Sequence, residues 1–130
     1  MPVTVFVADH TEIARRAICQ LLEKRSDIRL VGEASSFGET IRMARELQPQ
    51  VLVIDVHMPD NDTVAPEDFK ALLTLVKSRL VVASIWGDQK TKELATSFGA
   101  ETLLDKIDLS ETLIPAILRI GSPTDAGAND

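Results

Sequence analysis

Short apolar runs alternate with amphipathic segments along this chain. The apolar runs have the length of strands and many β-branched residues, and they cover 3–8, 28–34, 51–55, 80–85 and 102–104. Each is followed by a segment whose apolar residues recur three or four positions apart, as in a helix; these segments cover 12–24, 36–48, 66–78, 88–98 and 108–120. The pattern therefore predicts five βα units.

Alternation of this kind predicts an α/β fold with a parallel sheet and helices on both faces. The run 51–55 is apolar until its last residue, which is typical of a central strand that is buried on both faces. We expect a doubly wound (βα)5, flavodoxin-like domain over residues 1–120, with strand order 2-1-3-4-5. Residues 121–130 are small and polar, and we expect a disordered tail or a linker stub there.

Two helices carry local signals. In the first, we expect an apolar stripe to face the core: Ile13, Ala17, Ile18, Leu21 and Leu22. The second begins with Ser36, and Glu39 follows three positions later, which predicts a capping box at its start.

Composition narrows the class of protein. The chain has 130 residues, 45% of them hydrophobic, which is enough for one domain with a real core. Its net charge of −6 argues against direct binding to nucleic acid or to an anionic membrane surface. One cysteine allows no internal disulfide, and no signal peptide or membrane-length run is visible. We expect a cytoplasmic protein.

Chemically useful side chains follow four of the apolar runs. Asp9 follows the first, Asp55 ends the third, Ser84 lies at the end of the fourth and Lys106 follows the fifth. Ligands bind at the carboxyl ends of strands in open parallel sheets, so these side chains should share one edge. Two carboxylates, a hydroxyl and an amine suit the acceptance of a phosphoryl group. Each also has an ordinary alternative, as a turn residue, a cap or a solvated lysine.

Several segments, in order and at matching spacing, carry a resemblance to a known family: VADHTEIARR, VGEASS, VLVIDVHMP, VVAS and FGAETLLDK. From residue 3 to about 120 the chain resembles the receiver domain of bacterial two-component response regulators, such as the receiver half of helix-turn-helix regulators. The resemblance implies a signalling module rather than an enzyme, with at most self-phosphorylation and self-dephosphorylation. It implies a histidine kinase or phosphotransfer protein as partner.

The resemblance also implies the role of each site residue. Asp55 would be the phosphoacceptor, Lys106 would supply positive charge, and Ser84 would bind a phosphoryl oxygen and draw its loop inward. Mg²⁺ would be held by Asp9, Asp55 and the backbone carbonyl of His57. A homodimer through the fourth helix, fifth strand and fifth helix would also be consistent with the family.

His10 departs from the family pattern, because receivers usually carry a second acid at this position. Imidazole is a poor ligand for Mg²⁺, so His10 weakens the expected magnesium site. One alternative is therefore a pseudo-receiver, an interaction module that works without phosphorylation. The chain's two histidines, His10 and His57, together with Asp9 and Asp55, also suggest a site for a transition metal such as zinc, manganese, nickel or copper.

Further departures concern the switch and the output. Leu103 stands where many receivers have an aromatic switch residue, so an aromatic rotation at that position is lost. Trp86 is bulky beside the expected acceptor, and for that reason we expect slow loss of phosphate. A doubly wound enzyme or flavin-binding domain is a weaker alternative, because no glycine-rich phosphate loop is present. Residues after 120 cannot form a helix-turn-helix, so the chain is expected to be a stand-alone receiver or an excised receiver half.

Overall fold

The computed structural model describes residues 2–121, and these form one parallel five-stranded sheet flanked by helices. The strands are β1 (Val3–Ala8), β2 (Ile28–Ala34), β3 (Val51–Ile54), β4 (Arg79–Ser84) and β5 (Ala100–Asp105). Their order in the sheet is β2-β1-β3-β4-β5, and all neighbours are parallel. The predicted doubly wound (βα)5 fold is confirmed.

Five α-helices connect and follow these strands: α1 (Glu12–Glu23), α2 (Phe37–Leu47), α3 (Pro66–Val76), α4 (Gln89–Ser97) and α5 (Leu109–Gly121). The largest difference from the predicted bounds is in β5, which is three residues longer than the run 102–104. β5 is an edge strand with half-exposed side chains, so its polar ends escape a search for apolar runs. The predicted tail 121–130 lies outside the described residues, except for Gly121, which ends α5.

The sheet separates two apolar cores. One contains residues of α2, α3 and α4, including the mutually packed rings of Phe37, Phe69 and Phe98. The other contains residues of α1 and α5. β3 contributes alternate residues to both cores, with Leu52 and Ile54 on one side and Val51 and Val53 on the other. A central strand buried on both faces holds the residue that follows it, Asp55, in a fixed position.

Close packing also sets the end of α5. A Cβ on Gly121 would lie 2.5 Å from Cγ1 of Val3 and 3.1 Å from Cγ2 of Val51. Glycine therefore lets α5 finish directly against β1 and β3. No helix within residues 2–121 is long and apolar enough to cross a membrane.

The two local helix signals have different outcomes. The Ser36 hydroxyl accepts a hydrogen bond from the Glu39 N–H at 3.1 Å, so the predicted cap on α2 is confirmed, although the Glu39 carboxylate binds the Ser35 N–H. The stripe on α1 is partly wrong, because Ile13 is 84% exposed and Ala17 is also exposed. Ile13 belongs to the first turn of α1, which lies beyond the end of β1, so no sheet covers it.

Candidate functional site

The carboxyl ends of β1 and β3 bring two buried carboxylates together. Ala8 pairs with Ile54 in the sheet, and the Asp55 N–H donates to the Ala8 carbonyl at 3.0 Å. Asp9 directly follows β1 and Asp55 directly follows β3, so these two residues lie side by side. Asp9 is completely buried and Asp55 is 7% exposed. Two acids this close and this buried need a cation, because like charges at low dielectric repel strongly.

Lys106 supplies that cation from the end of β5. Its Nζ lies 2.6 Å from Oδ2 of Asp9 and 2.7 Å from Oδ2 of Asp55. Burial by itself lowers the pKa of Lys106, but the hydrogen bonds to Asp55 and Asp9 and their negative charge outweigh it, so the pKa is raised above that of an ordinary lysine. At neutral pH the lysine is therefore a positive charge shared by both carboxylates.

Backbone N–H groups fix the other two carboxylate oxygens. Oδ1 of Asp9 accepts from the Thr11 N–H at 2.9 Å, and Oδ1 of Asp55 accepts from the His57 N–H at 2.8 Å. All four oxygens of the two acids thus have a donor. This arrangement sets the orientation of the Asp55 carboxylate, which is the requirement for a nucleophile that must meet a phosphorus atom in line.

Ser84 ends β4, next to β3 in the sheet, and is 99% buried. Its Oγ accepts a hydrogen bond from the Trp86 N–H at 3.0 Å. The hydroxyl therefore stands at the same edge as Asp55, although these two side chains do not bond to each other within the described residues. Its proton remains available to a new acceptor.

The two histidines do not join the carboxylates in a metal site. His10 is exposed, and the ring of His57 is turned towards α4, where its Nε2 lies 3.0 Å from Oγ1 of Thr91. Among residues 2–121, no group of three or more histidine, cysteine, aspartate or glutamate side chains could hold a metal ion. The structure therefore gives no support to the transition-metal hypothesis.

Magnesium has a different requirement, since it prefers oxygen ligands and keeps several waters. Asp9 and Asp55 meet that requirement in kind, because their oxygens already converge on one cation, the ammonium of Lys106. The negative charge of the two carboxylates is, however, lower than in a magnesium site with a further acid. Lys106 offsets one of the two negative charges, and His10 adds none.

Three functional contacts were not predicted from the sequence. Arg15 donates from a guanidinium nitrogen to the Asp9 carbonyl at 2.8 Å and pairs with Glu33. Asp60 accepts from the N–H groups of Phe37 and Gly38 and so ties the loop after β3 to the start of α2. Such contacts join distant segments, and nothing in local spacing signals them.

The third missed contact is that of Thr91 with Asp88, at 2.6 Å between Oγ1 and Oδ1. Here a signal exists, because a threonine three residues after an aspartate at a helix start is a common capping spacing. The two residues belong to the first turn of α4 and its N-cap.

Comparison with known proteins gives one consistent family. The family model of the response regulator receiver domain matches residues 5–118. The nitrate/nitrite response regulator NarL of Escherichia coli strain K12 is 29% identical over 116 residues, which are 89% of this chain and 53% of NarL. VraR of Staphylococcus aureus strain Mu3 is 32% identical over 114 residues, 87% of this chain and 53% of VraR. The chain thus spans about half the length of these curated relatives.

Solved structures agree on the fold. The receiver domain of the putative response regulator NarL from Mycobacterium tuberculosis superposes with a TM-score of 0.81 at 21% identity, covering 92% of this chain and 96% of that one. The receiver domain of a modulated diguanylate cyclase from Desulfovibrio desulfuricans G20 gives 0.82 at 16% identity, with 98% and 99% covered. This chain therefore belongs to the response regulator receiver domain family of two-component signalling.

Proposed function

We propose that the chain accepts a phosphoryl group on Asp55 from a histidine kinase or phosphotransfer protein and so switches a protein–protein contact. The observation that carries this proposal is the lysine shared by Asp9 and Asp55 at 2.6 and 2.7 Å. A buried lysine placed between an oriented carboxylate and a second acid is well suited to neutralise the charge of an incoming phosphoryl group.

The proposed transfer would use these groups in the following way. An oxygen of Asp55 attacks the phosphorus of a phosphohistidine; the new O–P bond forms as the N–P bond breaks, and the electron pair stays on the imidazole nitrogen, which takes up a proton. Lys106 stabilises the negative charge on the phosphoryl oxygens. Mg²⁺, held by Asp9, Asp55 and the His57 carbonyl, would neutralise further charge there.

Ser84 would respond to the phosphorylation of Asp55. Its hydroxyl proton is free to bond a phosphoryl oxygen while its oxygen still accepts from the Trp86 N–H. A bond from Ser84 to the phosphoryl group would draw the loop after β4 towards Asp55. This is the two-state element through which a new local charge changes a surface.

His10 sets the metal dependence that we expect. Without a second acid, magnesium binding should be weak, so phosphorylation should need a high magnesium concentration. The alternative, a pseudo-receiver that works without phosphorylation, is less favoured, because such a module has no need of the buried contact between Lys106 and two acids.

The test is incubation with acetyl phosphate in magnesium, in manganese and without metal, followed by intact mass. We expect one phosphoryl adduct with metal and none in the Asp55→Asn variant, which keeps the shape of the side chain. His10→Asp should lower the magnesium concentration needed. If no condition labels the wild type and His10→Asp restores labelling, the pseudo-receiver is the better account.

Several features stay predictions. They are the cytoplasmic location, the absence of direct nucleic-acid binding, the limited self-phosphorylation and self-dephosphorylation, and a homodimer through α4, β5 and α5. The exposed charges of that face support a contact surface; they include Lys90, Glu93, Glu101 and Asp105. Sedimentation with and without acetyl phosphate would test the dimer.

A further inference from the structure

We propose that the side chain of His57, held by Thr91 and Asp88, links the acceptor site to α4 and carries the state of Asp55 to that helix. The inference deepens the proposed function, on which it rests for the phosphoryl signal. It assigns His57 as a positioning residue: its backbone contacts the acceptor, and its ring contacts the helix.

The link is a continuous series of hydrogen bonds. The His57 N–H donates to Oδ1 of Asp55 at 2.8 Å, and Nε2 of the same residue lies 3.0 Å from Oγ1 of Thr91. Thr91 in turn donates to Oδ1 of Asp88 at 2.6 Å. One residue in the loop after β3 therefore contacts both the acceptor carboxylate and the first turn of α4.

The donor and the acceptor of each hydrogen bond in this series follow from the number of hydrogens that each group carries. The hydrogen bond from Thr91 lowers the pKa of Asp88, which is thus a carboxylate and only accepts. Thr91 has one hydroxyl proton and uses it on Asp88. Its oxygen must then accept from His57, so Nε2 of His57 carries hydrogen. The polar groups in the series are matched donor to acceptor.

α4 has little else to hold its first turn. Its buried residues are Thr91 and Ala95 alone, and Thr91 is 1% exposed. Asp88 occupies the N-cap position, yet its side chain makes no cap hydrogen bond, because it accepts from Thr91 instead. The bond between His57 and Thr91 is thus a main anchor of the helix start.

The other side-chain hydrogen bonds of α4, within residues 2–121, are internal to the helix. Gln89 binds Glu93, and Ser97 binds the Leu94 carbonyl. On the β5 side, Leu103 is aliphatic and packs against the apolar core. Within the described residues, the bond between His57 and Thr91 is therefore the side-chain hydrogen bond that joins α4 to the loop after β3.

A change at Asp55 acts directly on this route. When a phosphoryl group is transferred to one oxygen of Asp55, the carboxylate becomes an acyl phosphate whose carbonyl oxygen is neutral, and the hydrogen bond from the His57 N–H weakens. The loop at His57 then relaxes with its ring still bound to Thr91. Because α4 presents an exposed charged face that includes Lys90, Lys92 and Glu93, a shift of its first turn alters a surface available to partners.

Thr91→Val breaks the link between His57 and α4, because it removes the hydroxyl but keeps the β-branched shape in a buried place. Thr96→Val is its matched control, since Thr96 lies exposed on the same helix. The probe is the NMR chemical shift of the amides of Gln89–Ser97. Two perturbations of the acceptor are compared: acetyl phosphate, with the adduct checked by mass, and the substitution Asp55→Ala, which needs no phosphorylation.

We expect both perturbations to shift the α4 amides in the wild type and in Thr96→Val. In Thr91→Val the shifts caused by Asp55→Ala should be lost. Those caused by acetyl phosphate should be smaller but not absent, because Ser84 still draws the loop after β4 towards the adduct. The Lys92 amide, which donates to the Asp88 carbonyl at the start of α4, should exchange its hydrogen about fivefold faster in Thr91→Val, as the loss of one side-chain hydrogen bond of about 1 kcal/mol implies. His57→Ala should have the same effect, with no further effect in the double variant.

Equal α4 shifts in Thr91→Val and in the wild type would overturn the inference. So would additive effects of His57→Ala and Thr91→Val on exchange. If acetyl phosphate gives no adduct in the wild type, the proposed function fails instead, and the comparison of Asp55→Ala with Asp55→Ala/Thr91→Val still decides the link.

Discussion

Two neighbouring regions at the same edge of the sheet are held by different forces. The acceptor cluster, formed by Asp9, Asp55 and Lys106, is buried and joined by direct ionic contacts. The α4 entry, residues 84–91, has two large apolar side chains in solvent, with Ile85 60% and Trp86 57% exposed. Its helix start depends on a series of single hydrogen bonds.

The difference suits a switch. Chemistry needs fixed groups, and the acceptor cluster provides them on rigid strand ends. A reporting surface needs an element whose two positions differ by only a few kcal/mol, and a helix with two buried residues meets that condition.

The largest expected effect is a difference in urea dependence between two sites: Cys19, which should react only after global unfolding, and the start of α4, which should open locally. Burial, aided by the charge of Glu33, raises the pKa of the Cys19 thiol to about 11. Because Cys19 lies on the face of α1 that packs into the core and is fully buried, its alkylation at pH 8 should require global unfolding and depend steeply on urea. Hydrogen exchange of the Lys92 amide, which bonds the Asp88 carbonyl at the start of α4, should show little urea dependence. Equal urea dependence of the two would show that α4 opens only with the whole domain.

The acceptor cluster should lose stability when its cation is removed. Lys106→Met leaves the buried Asp9 and Asp55 facing each other without a counter-charge, so we expect a loss of about 3 kcal/mol in the free energy of unfolding at pH 7. Phosphorylation by acetyl phosphate should fall about 100-fold. Lys24→Met, on the exposed end of α1, is the control and should be neutral. If Lys106→Met leaves the free energy of unfolding unchanged, solvent already screens the charges of the cluster.

The same contact predicts a pH effect. Since the folded pKa of Lys106 is raised, its contribution to stability is fully present below the pKa of the unfolded lysine and is lost as pH rises through the folded value. The stability difference between wild type and Lys106→Met should therefore be constant from about pH 7 to 9 and shrink above about pH 10. Urea unfolding at each pH measures it, and a difference that grows with alkaline pH would contradict the assignment.

The smallest effect concerns the α4 entry. The Trp86 ring stands nearly perpendicular to the ring of His57, with 6.5 Å between their centroids, and the Trp86 backbone N–H donates to Oγ of Ser84. We expect it to hinder water at the phosphorylated Asp55, so hydrolysis should be slow and Trp86→Ala should speed it about 3- to 10-fold, on the order of 1 kcal/mol. Ile85→Ala is the control. Rapid hydrolysis that Trp86→Ala leaves unchanged would remove this role.

The sequence predicts the acceptor cluster far better than the α4 entry. The rule that ligands bind at the carboxyl ends of parallel strands, applied to four strand ends, brings Asp9, Asp55 and Lys106 to one place, and the structure has Lys106 in contact with both acids. The predicted strand order is also confirmed, although alternation of elements by itself allows other doubly wound orders. These are consequences of topology, which periodicity reveals.

Side-chain directions do not follow from periodicity. The ring of His57 meets Thr91, 34 residues away, because of a rotamer and a loop path that no local pattern specifies. The exposure of Ile13 is missed for a related reason, since an amphipathic stripe does not show where the sheet beneath a helix ends. Loops and helix ends are therefore where structure adds most to the sequence.

The central claim is that Asp55 accepts the phosphoryl group, and its most direct test is to locate the modified residue. After incubation with acetyl phosphate and manganese or magnesium, borohydride reduces an aspartyl phosphate to homoserine, and peptide mass spectrometry identifies its position. We predict homoserine at position 55 and nowhere else. Homoserine at another aspartate, or at none with either metal, would contradict the account.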